Sequence, residues 1–327
     1  MTALLPSARR TSRTIVAVAT VASAVLSRIA PGSAGRRAQQ AMVLASLALG
    51  MPHGAADTEL LRAAAAGSRP RHAALIIGYA ALAAGSTRVV RGGGPWVERA
   101  VLIATAAHFG EGELACWGSP AGPARTALRA VGAATATLAL PAAVGAVNRV
   151  PFGVGVNGAL AEPPGRATGE RPGAALLRTA DGQRSVLPLA ALAGVTAAGL
   201  AARGDREAAG DVALLTALAL IAPPSTAFAA YFGGWHALRH TARVVDALVA
   251  EGQLPEQASL PGAVVELGRR SAWAAAVGLI AAAVLIARDP RHASDAAFAA
   301  VLGLTVPHMT TVALELSGRG RQPAKVP

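Results

Sequence analysis

The chain holds one cysteine, Cys116, and one lysine, Lys325, among 327 residues. A single cysteine excludes intramolecular disulfides, cysteine-rich zinc sites and cysteine-ligated iron–sulfur clusters. A single lysine, placed in the C-terminal tail, excludes a Schiff base formed inside a helix. Charge is scarce as well, at 15% of residues, against about 25% in an ordinary soluble domain. Aromatic residues make up 3%. Such poverty in charge excludes a disordered chain and argues against a water-soluble enzyme.

What fills the chain is aliphatic. Hydrophobic residues make up 53%, and mean hydropathy is +0.44. The formal net charge is +12, from 30 Lys+Arg against 18 Asp+Glu. The arginines fall between apolar runs and do not gather on one polar stripe, so the basic balance does not indicate a nucleic-acid partner. Between apolar runs they act as topology markers and as contacts to the head groups of membrane lipid.

Crossing a hydrocarbon core takes about 20 helical residues. Apolar stretches of that order recur at about 14–30, 38–61, 72–90, 97–115, 126–147, 185–202, 210–235, 271–288 and 296–315. Most are built from Ala, Leu, Val and Gly, and small residues permit close helix approach in lipid. Alternating strand patterns are absent, so the expected fold is all-α: a polytopic transmembrane bundle of eight or nine helices in one domain spanning 1–327. Arg9, Arg10 and Arg13 precede an apolar run ending near Ser27, which has the outline of a signal peptide. We read it instead as a first transmembrane helix or an N-terminal extension. The Gly-, Pro- and charge-rich stretches at about 148–184 and 246–270 read as polar connectors.

The informative feature is where the seven histidines fall. His72 and His292 stand beside Arg71 and Arg291 at segment edges and read as interfacial side chains. His53, His108, His236, His240 and His308 lie inside or at the ends of apolar segments. Ionisable groups at such depth are costly and point to a site with partners. His236 and His240 are four residues apart, so on a helix they turn about 400° and face the same way, about 6 Å apart along the axis. That spacing suits two ligands of one metal. Asp57 follows His53 by four residues, where it could accept the second N–H of a ligand. His108 is followed by Glu111 and Glu113, at the wrong offsets for HExxH. His308 follows Pro307, echoing Pro52-His53. Imidazoles from four separate segments point to a converging metal site, with the metal left open among Fe, Zn, Cu and Ni.

Four stretches, taken in order, carry a resemblance: GMPHGAAD at 50–57, AAHFGEGE at 106–113, YFGGWHALRH at 231–240 and TVPHM at 305–309. Together they resemble the Brp/Blh family of microbial β-carotene 15,15′-dioxygenases. The resemblance implies a multi-pass protein of the cell membrane that uses Fe(2+) and O2 to split β-carotene, or a related carotenoid, into retinal. By motif it implies His53, His108, His236 and His240 as iron ligands, with His308 in support near the metal. Asp57, Glu111 or Glu113 could offset the metal's charge, and Asp57 and Glu111 join His308 as the expected catalytic residues. It also implies a retinal-binding protein as a product acceptor. Phe109, Tyr231, Phe232 and Trp235 lie inside the motifs, so the site is expected to keep aromatic walls.

Other classes fare differently. A retinal-binding photoreceptor needs a helix lysine, and a membrane zinc protease needs HExxH; both fail on the sequence. Seven histidines are too few for a membrane di-iron desaturase. A haem-binding electron-transfer protein with paired transmembrane histidines stays open, as does a transporter.

Overall fold

The computed structural model describes residues 3–29, 53–93, 95–118, 122–139, 180–256, 259–288 and 303–313, with isolated positions between 38 and 50. Most of the 148–184 connector and of the 38–52 stretch lies outside these residues, as do His292 and Lys325. The described residues are all-α, without a strand. The helices are α1 (Leu5–Ile29), α2 (Asp57–Ala64), α3 (Arg69–Gly92), α4 (Pro95–Cys116), α5 (Pro123–Ala134), α6 (Ala180–Ala202), α7 (Arg206–Ile221), α8 (Pro224–Ala229), α9 (Leu238–Ala250) and α10 (Leu260–Arg288). Two π-helical segments continue α5 and α8, at Thr135–Ala139 and Ala230–Ala237. A last helical run covers 303–313.

By length and composition one described helix, Arg69–Val90, is long and apolar enough to cross a membrane; Val186–Ala202 is apolar but shorter. The apolar stretch 210–235 is not one helix. Pro223 and Pro224 interrupt it, because proline has no N–H to donate and pushes the preceding residue out of the α region. Ala222 accordingly turns extended at ψ 150°, and α8 starts at Pro224. Within the 246–270 stretch, α9 runs to Ala250 and α10 begins at Leu260.

The chain divides into two compact units. Unit 1 comprises Met1–Leu4, Met51–Thr105 and His240–Pro327; unit 2 comprises Leu5–Gly50 and Ala106–Arg239. The divide passes through α4 and through the start of α9.

In unit 2, α1 buries one stripe made of Ala8, Ser12, Val16, Ala19 and Ser23. Spacings of four, four, three and four residues place these on one face. The opposite face carries Val18, Val21, Val25 and Ile29, between 43% and 74% exposed. Apart from Val16, the inward stripe is made of small and hydroxylic residues, while four larger aliphatics face out. Ala208, Asp211, Val212, Leu215, Leu218 and Ala219 make the buried face of α7. Close approach depends on glycine at two places. A Cβ on Gly132 of α5 would stand 2.8 Å from a Val212 methyl, and one on Gly234 would stand 2.5 Å from an Ile15 methyl. Gly204, at φ 78°, makes the turn from α6 into α7, a left-handed conformation open to glycine at little cost.

A buried ion network ties these helices together. The Arg239 guanidinium donates to Glu113 (3.1 Å) and Asp211 (3.0 Å) through Nη1, and to the Ser12 hydroxyl (2.8 Å) through Nε. It also lies 3.5 Å from the centre of the Trp235 ring. The Trp235 indole N–H donates to Glu113 (2.9 Å) and the Trp117 indole N–H to Asp211 (2.9 Å). Arg13 completes the set through Nε to Asp211 at 2.6 Å.

In unit 1, α3 is capped by Ser68, whose hydroxyl accepts the Arg71 N–H. On α10, Trp273, Val277, Ile280 and Val284 form an exposed apolar stripe at four-, three- and four-residue steps. Before that stripe, hydrogen bonds from Arg269 and then Arg270 hold the half-buried Glu266 carboxyl down to about 2. That pair is therefore intact above the ordinary carboxylate range and is lost as pH falls through about 2.

Arg239, Glu113 and Asp211 are each at most 1% exposed, and removing one partner of a buried pair costs about 3–5 kcal/mol. Arg239→Leu is expected to lower stability by roughly that amount, since two buried carboxylates lose a shared cation. Tryptophan fluorescence during denaturation in detergent checks it, because Trp117 and Trp235 report from inside the network.

Candidate metal centre

Each unit gathers its own buried histidines. In unit 1, His53 lies in the helical turn before α2, His240 in the first turn of α9, and His308 in the 303–313 helix. The three side chains are buried. Their ring centres lie 5.1 Å (His53–His308), 5.2 Å (His240–His308) and 5.6 Å (His53–His240) apart, with planes at 72–85°. His53 and His308 each offer a ring nitrogen within 4.8 Å of the other. Asp57, one turn beyond His53 and 1% exposed, receives His308 Nδ1 at 2.9 and 3.0 Å on its two oxygens. The Tyr79 hydroxyl of α3 donates to the same carboxylate at 2.8 Å.

In unit 2, His108 of α4 and His236 of the second π segment are buried with ring centres 5.5 Å apart. Phe109 lies 4.6 Å from the His236 ring and 5.2 Å from Tyr231, and Tyr231 lies 6.1 Å from His236. These aromatic rings form one wall beside the histidine pair. Gly112 makes room for it: a Cβ there would stand 3.2 Å from His236 Cε1 and 3.4 Å from Nδ1. The π winding matters because an inserted residue shifts the helix register and re-aims side chains, and such insertions recur at functional sites.

The donor set fits a transition metal. Imidazoles bound to one ion at about 2.0–2.1 Å put their ring centres about 4.5–5.2 Å apart for angles from right to tetrahedral. Two of the spacings in unit 1, 5.1 and 5.2 Å, sit at the wide end of that range, and the third, 5.6 Å, lies beyond it. Buried histidines, among them His53 and His308 with ring nitrogens within 4.8 Å of each other, could therefore hold a metal ion. Neutral imidazole suits Fe, Zn, Cu or Ni.

All five histidines singled out from the sequence are buried, and so is Asp57. His308, expected in support, stands as close to His53 and His240 as they stand to each other. Glu111 is exposed on α4, whereas Glu113 is buried. Two residues on a helix turn about 200°, so the two carboxylates occupy opposite faces, and Glu113 is the one committed to Arg239 and Trp235. Sequence reasoning overlooked Tyr79, Arg239, Asp211 and Trp117. Arg239 and Asp211 carried a legible signal, since a charged residue inside an apolar stretch needs a partner. Tyr79 is one of two tyrosines in the chain, but nothing local marked its partner.

An all-α protein with buried histidines on separate apolar segments has the donors with which helical proteins can hold a metal. Residues 44–314 match the family model described as beta-carotene 15,15′-dioxygenase, and the chain belongs to that family. No curated protein and no solved structure matches it. Family membership makes carotenoid cleavage with O2 the activity expected of this class of site.

His236→Ala and His240→Ala are each expected to lower bound metal strongly while the protein still folds; elemental analysis of purified protein checks this, and full metal content in either variant would remove that residue from the candidate ligands. Gly112→Ala separates packing from site geometry. It should raise helix stability by up to about 1 kcal/mol yet weaken metal binding, because the new methyl displaces the His236 ring; parallel denaturation and metal titration read the two effects.

Proposed function

We propose that this protein cleaves the central 15,15′ double bond of β-carotene with O2, giving two molecules of all-trans-retinal, and that the reaction depends on ferrous iron held by His53, His108, His236 and His240. The observation that carries the reading is the family match over 44–314 together with the burial of every histidine in the four motifs. The balance is simple: one C=C bond breaks, two C=O bonds form, and both oxygen atoms come from O2.

Bound iron would supply the centre at which O2 is activated. The chain's own residues supply the rest. Phe109 and Tyr231 present flat apolar surface beside His236, suited to a polyene and hostile to water. Trp235 and Arg239, locked onto Glu113, fix the π segment that carries His236. Asp57 holds His308 by its Nδ1. With hydrocarbon and ring faces around the histidines, water is kept from the reacting double bond and the substrate is oriented before reaction.

We also propose that the chain is a multi-pass protein of the cell membrane. The outward stripes on α1 and α10 support this, since large aliphatics face out while small residues pack inward. Such helices suit a lipid surround, where van der Waals packing replaces the hydrophobic effect between them. A carotenoid already dissolved in the bilayer could then enter sideways, and retinal could leave to lipid or to a retinal-binding acceptor.

Expression in bacteria that accumulate β-carotene tests the reading. The expected result is loss of orange colour with retinal as the only aldehyde product. Two unequal apocarotenoids would overturn central cleavage, and no oxygen-dependent cleavage by iron-loaded protein would overturn the enzyme assignment.

A further inference from the structure

The contact between Asp57 and His308 has a third member in Tyr79, and the three lie on different elements of unit 1. Tyr79 comes from α3, Asp57 from the first residue of α2, and His308 from the 303–313 helix. The Tyr79 hydroxyl gives its proton to Asp57 Oδ2 at 2.8 Å. Both carboxylate oxygens then face His308 Nδ1, at 2.9 and 3.0 Å. A carboxylate is acceptor-only, so this arrangement calls for the imidazole proton on Nδ1. A neutral ring with its proton there keeps its lone pair on Nε2, the arrangement by which carboxylates orient metal-binding histidines and raise their basicity. His308 also stands 5.1 and 5.2 Å, ring centre to ring centre, from His53 and His240.

We propose that Tyr79 and Asp57 are positioning residues for His308, and that His308 thereby joins the metal-binding imidazoles through Nε2. The proposal rests on the metal reading above and extends it. Tyr79 touches neither substrate nor metal. It restrains the rotation of the Asp57 carboxyl, and Asp57 in turn sets both the tautomer and the tilt of the ring. Losing an outer partner of this kind typically costs about 10–100-fold in metal affinity.

The test uses the purified full-length chain in detergent, stripped of metal and titrated with Co2+. Proton NMR of the Co2+ form should show a hyperfine-shifted, slowly exchanging imidazole N–H that disappears in His308→Ala. His308→Ala should weaken Co2+ binding and alter the visible Co2+ bands. Tyr79→Phe, which removes one oxygen and keeps the ring, should weaken binding about tenfold and speed exchange of the His308 N–H with water. Its circular dichroism should stay that of the unaltered chain. Unchanged affinity and bands in His308→Ala, or unchanged affinity and exchange in folded Tyr79→Phe, would overturn the proposal while the wider metal reading stood. If Tyr79→Phe does not fold, the unaltered chain decides it: nitrogen-15 NMR that finds the His308 proton on Nε2 overturns the proposal, and one that finds it on Nδ1 supports it. Failure of the unaltered chain to bind Co2+ or Fe2+ would bring down the metal reading and this proposal together.

Discussion

The Arg239 guanidinium is the contact on which unit 2 depends. It is buried at 1% exposure, and its partners come from α1, α4 and α7, with Trp235 of the π segment beneath it. An unpaired cation there would be prohibitively costly, so every helix that supplies a partner is held at hydrogen-bonding distance. Glu113 is shared between Arg239 and the Trp235 indole, and Asp211 between Arg239, Arg13 and the Trp117 indole. Because Trp235 and Arg239 flank His236 in the sequence, the network that holds the helices also fixes the histidine. Fold and site share one set of buried charges.

The distribution of side-chain size is the second constraint. Ala8, Ser12, Val16, Ala19 and Ser23 line the inner face of α1, small or hydroxylic but for Val16, while Val18, Val21 and Ile29 point outward. A soluble helix would bury its large aliphatics and expose small or polar groups. Here close approach is achieved with glycine and alanine, as at Gly132 against Val212 and Gly234 against Ile15. The same preference for small residues leaves few aromatic rings, so those present carry weight. Phe109 and Tyr231 both lie against His236.

Each unit holds its own buried imidazoles, three in unit 1 and two in unit 2, and a buried carboxylate stands near each group. Asp57 serves His308 across 251 residues of chain. Glu113 serves Trp235 and Arg239 across more than a hundred. Asp57, in contact with an imidazole, sets its tautomer and tilt, whereas Glu113 holds the residues on either side of His236; in a dry interior both act with little competition from solvent.

Composition and periodicity alone determined that the chain is helical, apolar and built for close packing, because those properties follow from the residues present in each segment. That the five histidines in aliphatic runs would be buried was legible for the same reason: an imidazole there is costly wherever the run ends up. Local chemistry also forecast that Asp57 would serve a histidine. Tertiary structure decided which one, and it chose His308 from the far end of the chain, with Tyr79 as a further partner. It put Glu113 inside and left Glu111, the one singled out from the sequence, exposed, because helix phase puts only one of them inside. It broke the 210–235 stretch at Pro223 and wound Ala230–Ala237 as a π-helix. These outcomes turn on register and on partners distant in sequence, and neither is a property of any one segment.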